Sequence, residues 1–204
     1  TGIDINKLGN FSSSQIRALT TGQVSALSSF ALNNFGVDQI AAMSTAQVRA
    51  ISTAVINTID SLHLQALSTA SVASLKTEQL NRFTPEQMAS LTGEQIASLT
   101  TAQVVALTTT QAASLTAEQV ASLTKNQVKS MDAADFAAIK TGALTALGTE
   151  QITGLTVAQV TKLTTAQASA LTLDQVGALS SAQVAALDTA DLAVMSRDQI
   201  KSFV

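Results

Sequence analysis

The sequence holds one histidine, His63, and two pairs of aspartates spaced three apart, Asp132 with Asp135 and Asp188 with Asp191. An imidazole can ligate a metal or relay a proton, and paired carboxylates can share general acid–base work. Neither set is complete. A lone histidine has no second ligand and no triad partner. With no cysteine, thiolate metal sites and disulfides are excluded. No Gly-rich phosphate loop, metal-ligand spacing or nucleophile elbow occurs. The sequence therefore nominates no catalytic, cofactor-binding or metal-binding residue. It predicts no enzyme, no cofactor and no small-molecule substrate.

The elements that hold these residues emerge from composition and spacing. The 204 residues carry 11 Lys and Arg against 14 Asp and Glu, for a net charge of -3. The basic residues fall at scattered positions, so no patch for a phosphate backbone forms and no nucleic-acid partner is expected. Tyr and Trp are absent and Phe occurs six times, so a core must come from Leu, Val, Ile and Ala. Mean hydropathy is high at +0.30. Yet Thr, Ser or Gln breaks the sequence every few positions, whereas a spanning helix needs about 20 mostly apolar residues. No membrane insertion is expected. The start, TGIDINKLGN, lacks a signal peptide's basic and apolar segments. Because the pattern is already running at Thr1 and still running at Val204, the chain reads as a fragment of a longer protein.

That pattern is an octad, and its search precedes any other reading. Every eighth residue from Ile3 to Phe203 is Leu, Ile, Met or Phe, at all 26 positions. A second apolar row occupies the multiples of eight, from Leu8, Ile16 and Val24 to Ile200, and is weakest at Ala112 and Ala168. The residue before it is mostly Gln, as at Gln15, Gln23, Gln39, Gln47, Gln79, Gln87 and Gln95. The consensus is L-T-x-x-Q-V-x-A. No insertion breaks the register, which predicts a single domain over 1–204.

A continuous helix fits this spacing poorly. Eight residues overshoot two turns by about 80°, so an apolar stripe would spiral around the surface. Short helices restarted by caps fit better. Of 25 positions following the Leu row, 23 are Ser, Thr, Asp or Gly, the exceptions being Lys76 and Lys140. These are favoured N-caps. Thr followed three residues later by Gln is a capping box. Pro85 directly follows Thr84, at the first helical position, where proline is tolerated. Glu78, Glu86, Glu94, Glu118 and Glu150 stand two after the cap, near the positive end of the helix dipole. A β-solenoid would want alternation and more than the nine glycines present.

The predicted fold is therefore all-α, a solenoid or superhelix with one very short capped helix per octad. Val and the Leu three residues later face inward together. Helices this short persist only by stacking on neighbours. The small residues before Leu, such as Ala18, Ala26, Ala42, Ser90, Ser98 and Ala106, would let neighbours approach. Phe11, Phe35, Phe83 and Phe203 are separated by multiples of 24, which hints at three octads per coil; two per coil is the rival. In this frame His63 occupies a Gln position, where its ring can make a similar hydrogen bond. Asp132–Asp135 and Asp188–Asp191 read as capping boxes rebuilt with Asp. The pattern loosens at Ser28 to Leu67, through Phe30, Ala31, Val55 and His63, and again at 131–148, where Phe136 replaces Val. Both stretches read as drift, or as a local binding surface or bend.

The run LTTAQVVALTTTQAASLTAEQVASLT at 99–124 resembles the LTxxQVxAL arrays of very large secreted or surface proteins of bacteria, described as adhesin-like, haemagglutinin-like or haem-utilisation proteins. The resemblance extends over nearly the whole chain. It implies an extracellular or cell-surface location and a stalk, spacer or adhesive role, with protein or cell-surface partners. It carries over no catalytic residue. The alternative is a protein- or peptide-binding scaffold that uses a superhelical groove. Outward positions rich in Ala, Ser, Thr and Glu favour the spacer. Adjacent threonines such as Thr100–Thr101 and Thr164–Thr165 raise ice binding as a distant third.

Overall fold

In a computed structural model the described residues are 9–203. The chain divides into two compact units, Thr1–Leu99 and Thr100–Val204. Each is built from octads. Every octad from Ser12 to Phe203 contains one α-helix of four to six residues, except the octad beginning at Ser52. No strand occurs among the described residues.

The local reasons match the pattern. In the octad 92–99, Thr92 is extended at φ -72° and ψ 159°, and its side chain accepts from the Gln95 backbone N–H. The Thr92 N–H in turn donates to Gln95 Oε1 at 2.9 Å, which closes the box. After Ala97 the chain leaves the helix and Thr100 starts the next. Pro85 is the first helical residue after the Thr84 cap. Gly36, Lys76 and Gly148 offer no side-chain acceptor, and there the Gln half of the box works alone. Lys140 has neither half, because Ala143 holds the Gln position.

The octad at Ser52 shows what the box contributes. Val55 stands where Gln is expected, so nothing reaches back to the Ser52 amide. A β-branched residue also loses rotamer freedom in a helix. The turn that remains is 3₁₀, at Ile56–Thr58. Ala31 and Ala143 also lack the amide but are unbranched, and both octads stay α-helical.

Helices pack on partners three octads along the chain. In the first unit Thr21–Ser25 packs on Thr45–Ala50, which packs on Thr69–Ser74. In the second, Thr109–Ser114 packs on Ala133–Ala138 and Thr165–Ala170 on Thr189–Val194. Each unit is thus a solenoid with three octads per coil. This settles the choice that the phenylalanine spacing could only suggest. The Leu and Val rows form the core, with Leu64, Leu80, Met88 and Phe136 fully buried. Burying such a side chain contributes about 1.5–3 kcal/mol. A free helix of one and a half turns is not stable, so stacking supplies the stability.

The small residues before Leu sit at the seam between coils. Ser98 Oγ donates to the Thr69 carbonyl of the previous coil at 3.1 Å, and Ser74 Oγ approaches that of Thr45. A Cβ on Gly154 would lie 2.6 Å from Lys125 Cγ and 3.2 Å from the Lys125 carbonyl. Ala18 and Ala26, by contrast, are exposed.

Candidate functional site

The most elaborate recurring arrangement is built on the Gln row. Sequence reasoning gave this side chain one task, closing the box through Oε1. The structure gives it a second. Gln95 is 2% exposed, and its Nε2 donates to the carbonyls of Leu64 and Leu67, both at 2.8 Å. Both acceptors belong to the preceding coil. Gln79 reaches Val48 and Ile51 in the same way, and Gln87 reaches Ile56 and Ile59. In the second unit Gln159 holds Val128 and Met131, Gln175 holds Leu144 and Leu147, and Gln183 holds Ile152 and Leu155.

One amide therefore starts its own helix and clamps the coil behind it. Oε1 takes the orphan N–H at the helix start. Nε2 supplies a donor to the Leu-row carbonyl, which leaves the helix and would otherwise be buried without one. Asn is too short to do both and Glu has no donor. Lighter contacts run the other way. Asn33 Nδ2 donates to the Thr58 carbonyl, Gln65 Nε2 to that of Ser90, and Arg17 Nε to that of Ala42, all in the coil ahead.

His63 follows the glutamine geometry. Its Nε2 lies 2.7 Å from the carbonyl oxygen of Phe35 in the coil behind, and so carries the donated proton. Its Nδ1 lies 2.9 Å from Asp60 Oδ2, without the alignment of a hydrogen bond. The His63 backbone N–H donates to Asp60 Oδ1 and, with the nearby ring, holds the Asp60 carboxyl below its ordinary pKa.

The two aspartate pairs part ways. Asp188 and Asp191 form a box, with Asp188 Oδ1 accepting from the Asp191 N–H at 2.7 Å. Burial pushes the Asp191 carboxyl up, and the neighbouring Asp188 charge adds to this. Asp132 and Asp135 do not form the expected box. Asp132 caps Ala134 N–H instead, and the Asp135 carboxylate turns to the preceding coil, where Thr109 Oγ1 donates to it at 2.7 Å. A carboxylate cannot donate to a carbonyl as Gln does, so it accepts from the Thr109 hydroxyl instead. The two pairs stand in octads well separated along the chain, and each is absorbed in its own octad's structure.

Among the described residues no group of three or more His, Asp or Glu is placed to hold a metal ion. No described helix is long and apolar enough to cross a membrane.

The geometry bears directly on the comparisons with known proteins. A sequence model of the ALTTAQ repeat matches residues 56–93 and 128–165. Its six letters fall into the octad frame as small residue, Leu, cap, two helical residues and the Gln of the box, as in Ser98–Gln103, SLTTAQ. The matches mark this chain as a repeat segment. No curated protein matches it.

Proposed function

We propose that the chain is a stalk, spacer or adhesive segment of a large secreted or surface protein of bacteria. The coarser statement, a structural repeat module, follows from the ALTTAQ matches and the repeating helix packing. The observation that supports the finer one is where the octad's residues are used. The Leu, Val and Gln rows are consumed within the stack, and the cap serves its own helix. Among the described residues, what faces solvent is mostly Ala, Ser, Thr and Glu. Each coil then adds length without adding a new kind of surface. The resemblance of 99–124 to surface-protein arrays supports the extracellular location.

The reading is tested by inserting one or two consensus coils, each of three octads, after Leu155. Spin labels flanking the insertion should move apart by the same increment for each coil. An increment that vanishes or varies refutes the spacer. Antibody labelling of intact cells that express the whole protein tests the location. The loose stretch supports a second reading as a peptide-binding scaffold, since Phe30 and Leu62 are 64% and 66% exposed. On the spacer reading, replacing 28–67 by consensus octads leaves function intact; on the scaffold reading it abolishes binding.

A further inference from the structure

The Gln row has one gap that spans a whole coil. From Gln15 to Gln199 every run of three consecutive octads keeps a glutamine, except where Val55, His63 and Ser71 follow one another. By the spacing of the other clamps these three face the Leu-row carbonyls of Leu27, Phe35 and Met43 in the coil behind. Val55 has nothing to donate, and the short Ser71 side chain meets the Ser68 hydroxyl of its own octad. Among the described residues no side chain donates to the carbonyl of Leu27 or Met43. Only His63 reaches across, with Nε2 2.7 Å from the Phe35 oxygen. The lighter contacts nearby, Asn33 to Thr58 and Ser74 to Thr45, are exposed. The next seam, by contrast, is closed by Gln79, Gln87 and Gln95. One coil of the first unit is thus held by a single buried side-chain clamp, and that clamp is the chain's only histidine.

We propose that His63 makes this seam responsive to pH: the ring holds the coil of Phe35 loosely when neutral and firmly when protonated. A neutral imidazole has one N–H, and the Phe35 carbonyl takes it. Nδ1 stands where a glutamine's Oε1 would accept the cap amide, yet it is buried without a hydrogen-bond partner. What it meets is Asp60 Oδ2, at 2.9 Å. In the neutral ring two acceptors therefore face each other. A proton on Nδ1 turns that conflict into a charge-assisted hydrogen bond, and the positive ring also donates more strongly to Phe35. The Asp60 side chain is 56% exposed, so it is free to turn into line. The helices packed on Ser61–Ala66 are Val37–Ala41 and Pro85–Ser90. Their ionisable groups, Asp38 and Glu86, are exposed and acidic, so neither opposes a cationic ring. The added stability is present on the acid side, where the ring is protonated, and is lost as pH rises through its titration. The device stands or falls apart from the spacer reading.

The test is amide hydrogen exchange of the whole chain between about pH 5 and about pH 8, the window in which an imidazole changes charge. Protection factors, which remove the intrinsic effect of pH, should rise about tenfold on acidification at Phe35, Leu64 and Leu67. They should stay level at Leu144, Leu147 and Ile152, where Gln175 and Gln183 hold the seam. His63→Gln restores the row's own residue and should remove the pH dependence, with protection high throughout. Asp60→Asn keeps the cap acceptor and the Phe35 clamp but removes the carboxylate, and it should also abolish the gain in acid. The proposal is overturned if wild-type protection at these three amides is flat or falls on acidification. It is equally overturned if either variant keeps the wild-type gain, since the gain then comes from elsewhere in the chain.

Discussion

Replacing Gln95 by Ala separates the two tasks of the row and fixes their size. The substitution strands the Thr92 N–H, whose side-chain acceptor is Gln95 Oε1, and the Leu67 carbonyl, whose donor is Nε2. Leu64 keeps a second donor in the Leu67 N–H. The buried Leu67 carbonyl is left unsatisfied at about 1–3 kcal/mol, and the Thr92 N–H, on an exposed residue, costs about 1 kcal/mol at most, so the expected loss is about 1–4 kcal/mol. Thr92→Ala removes only a cap, at about 1 kcal/mol. Gln95→Glu keeps the acceptor and loses the donor, so it isolates the clamp. At neutral pH it should fall near Gln95→Ala, and it should recover in acid, where the protonated carboxyl can donate again. Urea denaturation followed by circular dichroism reads the stabilities. Thermal melts should drop by about 2–4 °C per kcal/mol for a chain of this size. Amide exchange should quicken at 64–67 and 92–96 together, since the bond joins them. The reasoning fails if Gln95→Ala costs no more than Thr92→Ala, or if exchange changes only around residue 92.

The remaining predictions use the same geometry. Asp191→Gln restores a donor aimed at the preceding coil and should stabilise by about 1–2 kcal/mol at neutral pH. Because the folded Asp191 pKa is raised, the wild-type contribution is present below the unfolded pKa and lost as pH rises through the folded value. The advantage of Gln should therefore shrink on acidification, which denaturation at several pH values will show. Gly142 has open space around its missing Cβ while Gly154 does not. Gly142→Ala should stabilise by about 0.5–1 kcal/mol, and Gly154→Val should destabilise by about 1–3 kcal/mol, both read from melts. Deleting Ala158 alone throws Gln159, Gln167, Gln175 and Gln183 out of the octad frame of their acceptors, whereas deleting 156–163 leaves every remaining residue in frame. The single deletion should cost far more, and equal damage would count against the coil geometry.

How much of this the sequence showed follows from distance along the chain. The cap, the box and the place of Pro85 involve residues one to three apart, and each stands where the octad put it. The Val and Leu rows are a helical pair and were equally legible. The clamp was not. Gln95 Oε1 finds its partner within its own octad, but Nε2 finds Leu67 in the coil behind. In an exact octad every multiple of eight looks alike, so no periodicity singles out a coil of three. Only the irregular residues could break that degeneracy, and the phenylalanines gave no more than a hint, leaving two octads per coil open until the helix packing decided it. His63 was readable as a Gln substitute because its ring can donate where the amide does. Asp135 misled because its alternative partner, Thr109, belongs to another coil.

The acceptors of each clamp always precede the glutamine in the chain. A polypeptide leaving the ribosome therefore needs nothing still unmade to finish a coil. When Gln79 emerges, Val48 and Ile51 have long been available, and a window of four octads suffices at every step. Such short-range closure favours fast, stepwise folding. The same uniformity carries a hazard. An amide offered the carbonyl one octad too early finds the same chemistry, so slippage by a whole octad is the error this chain is least able to refuse.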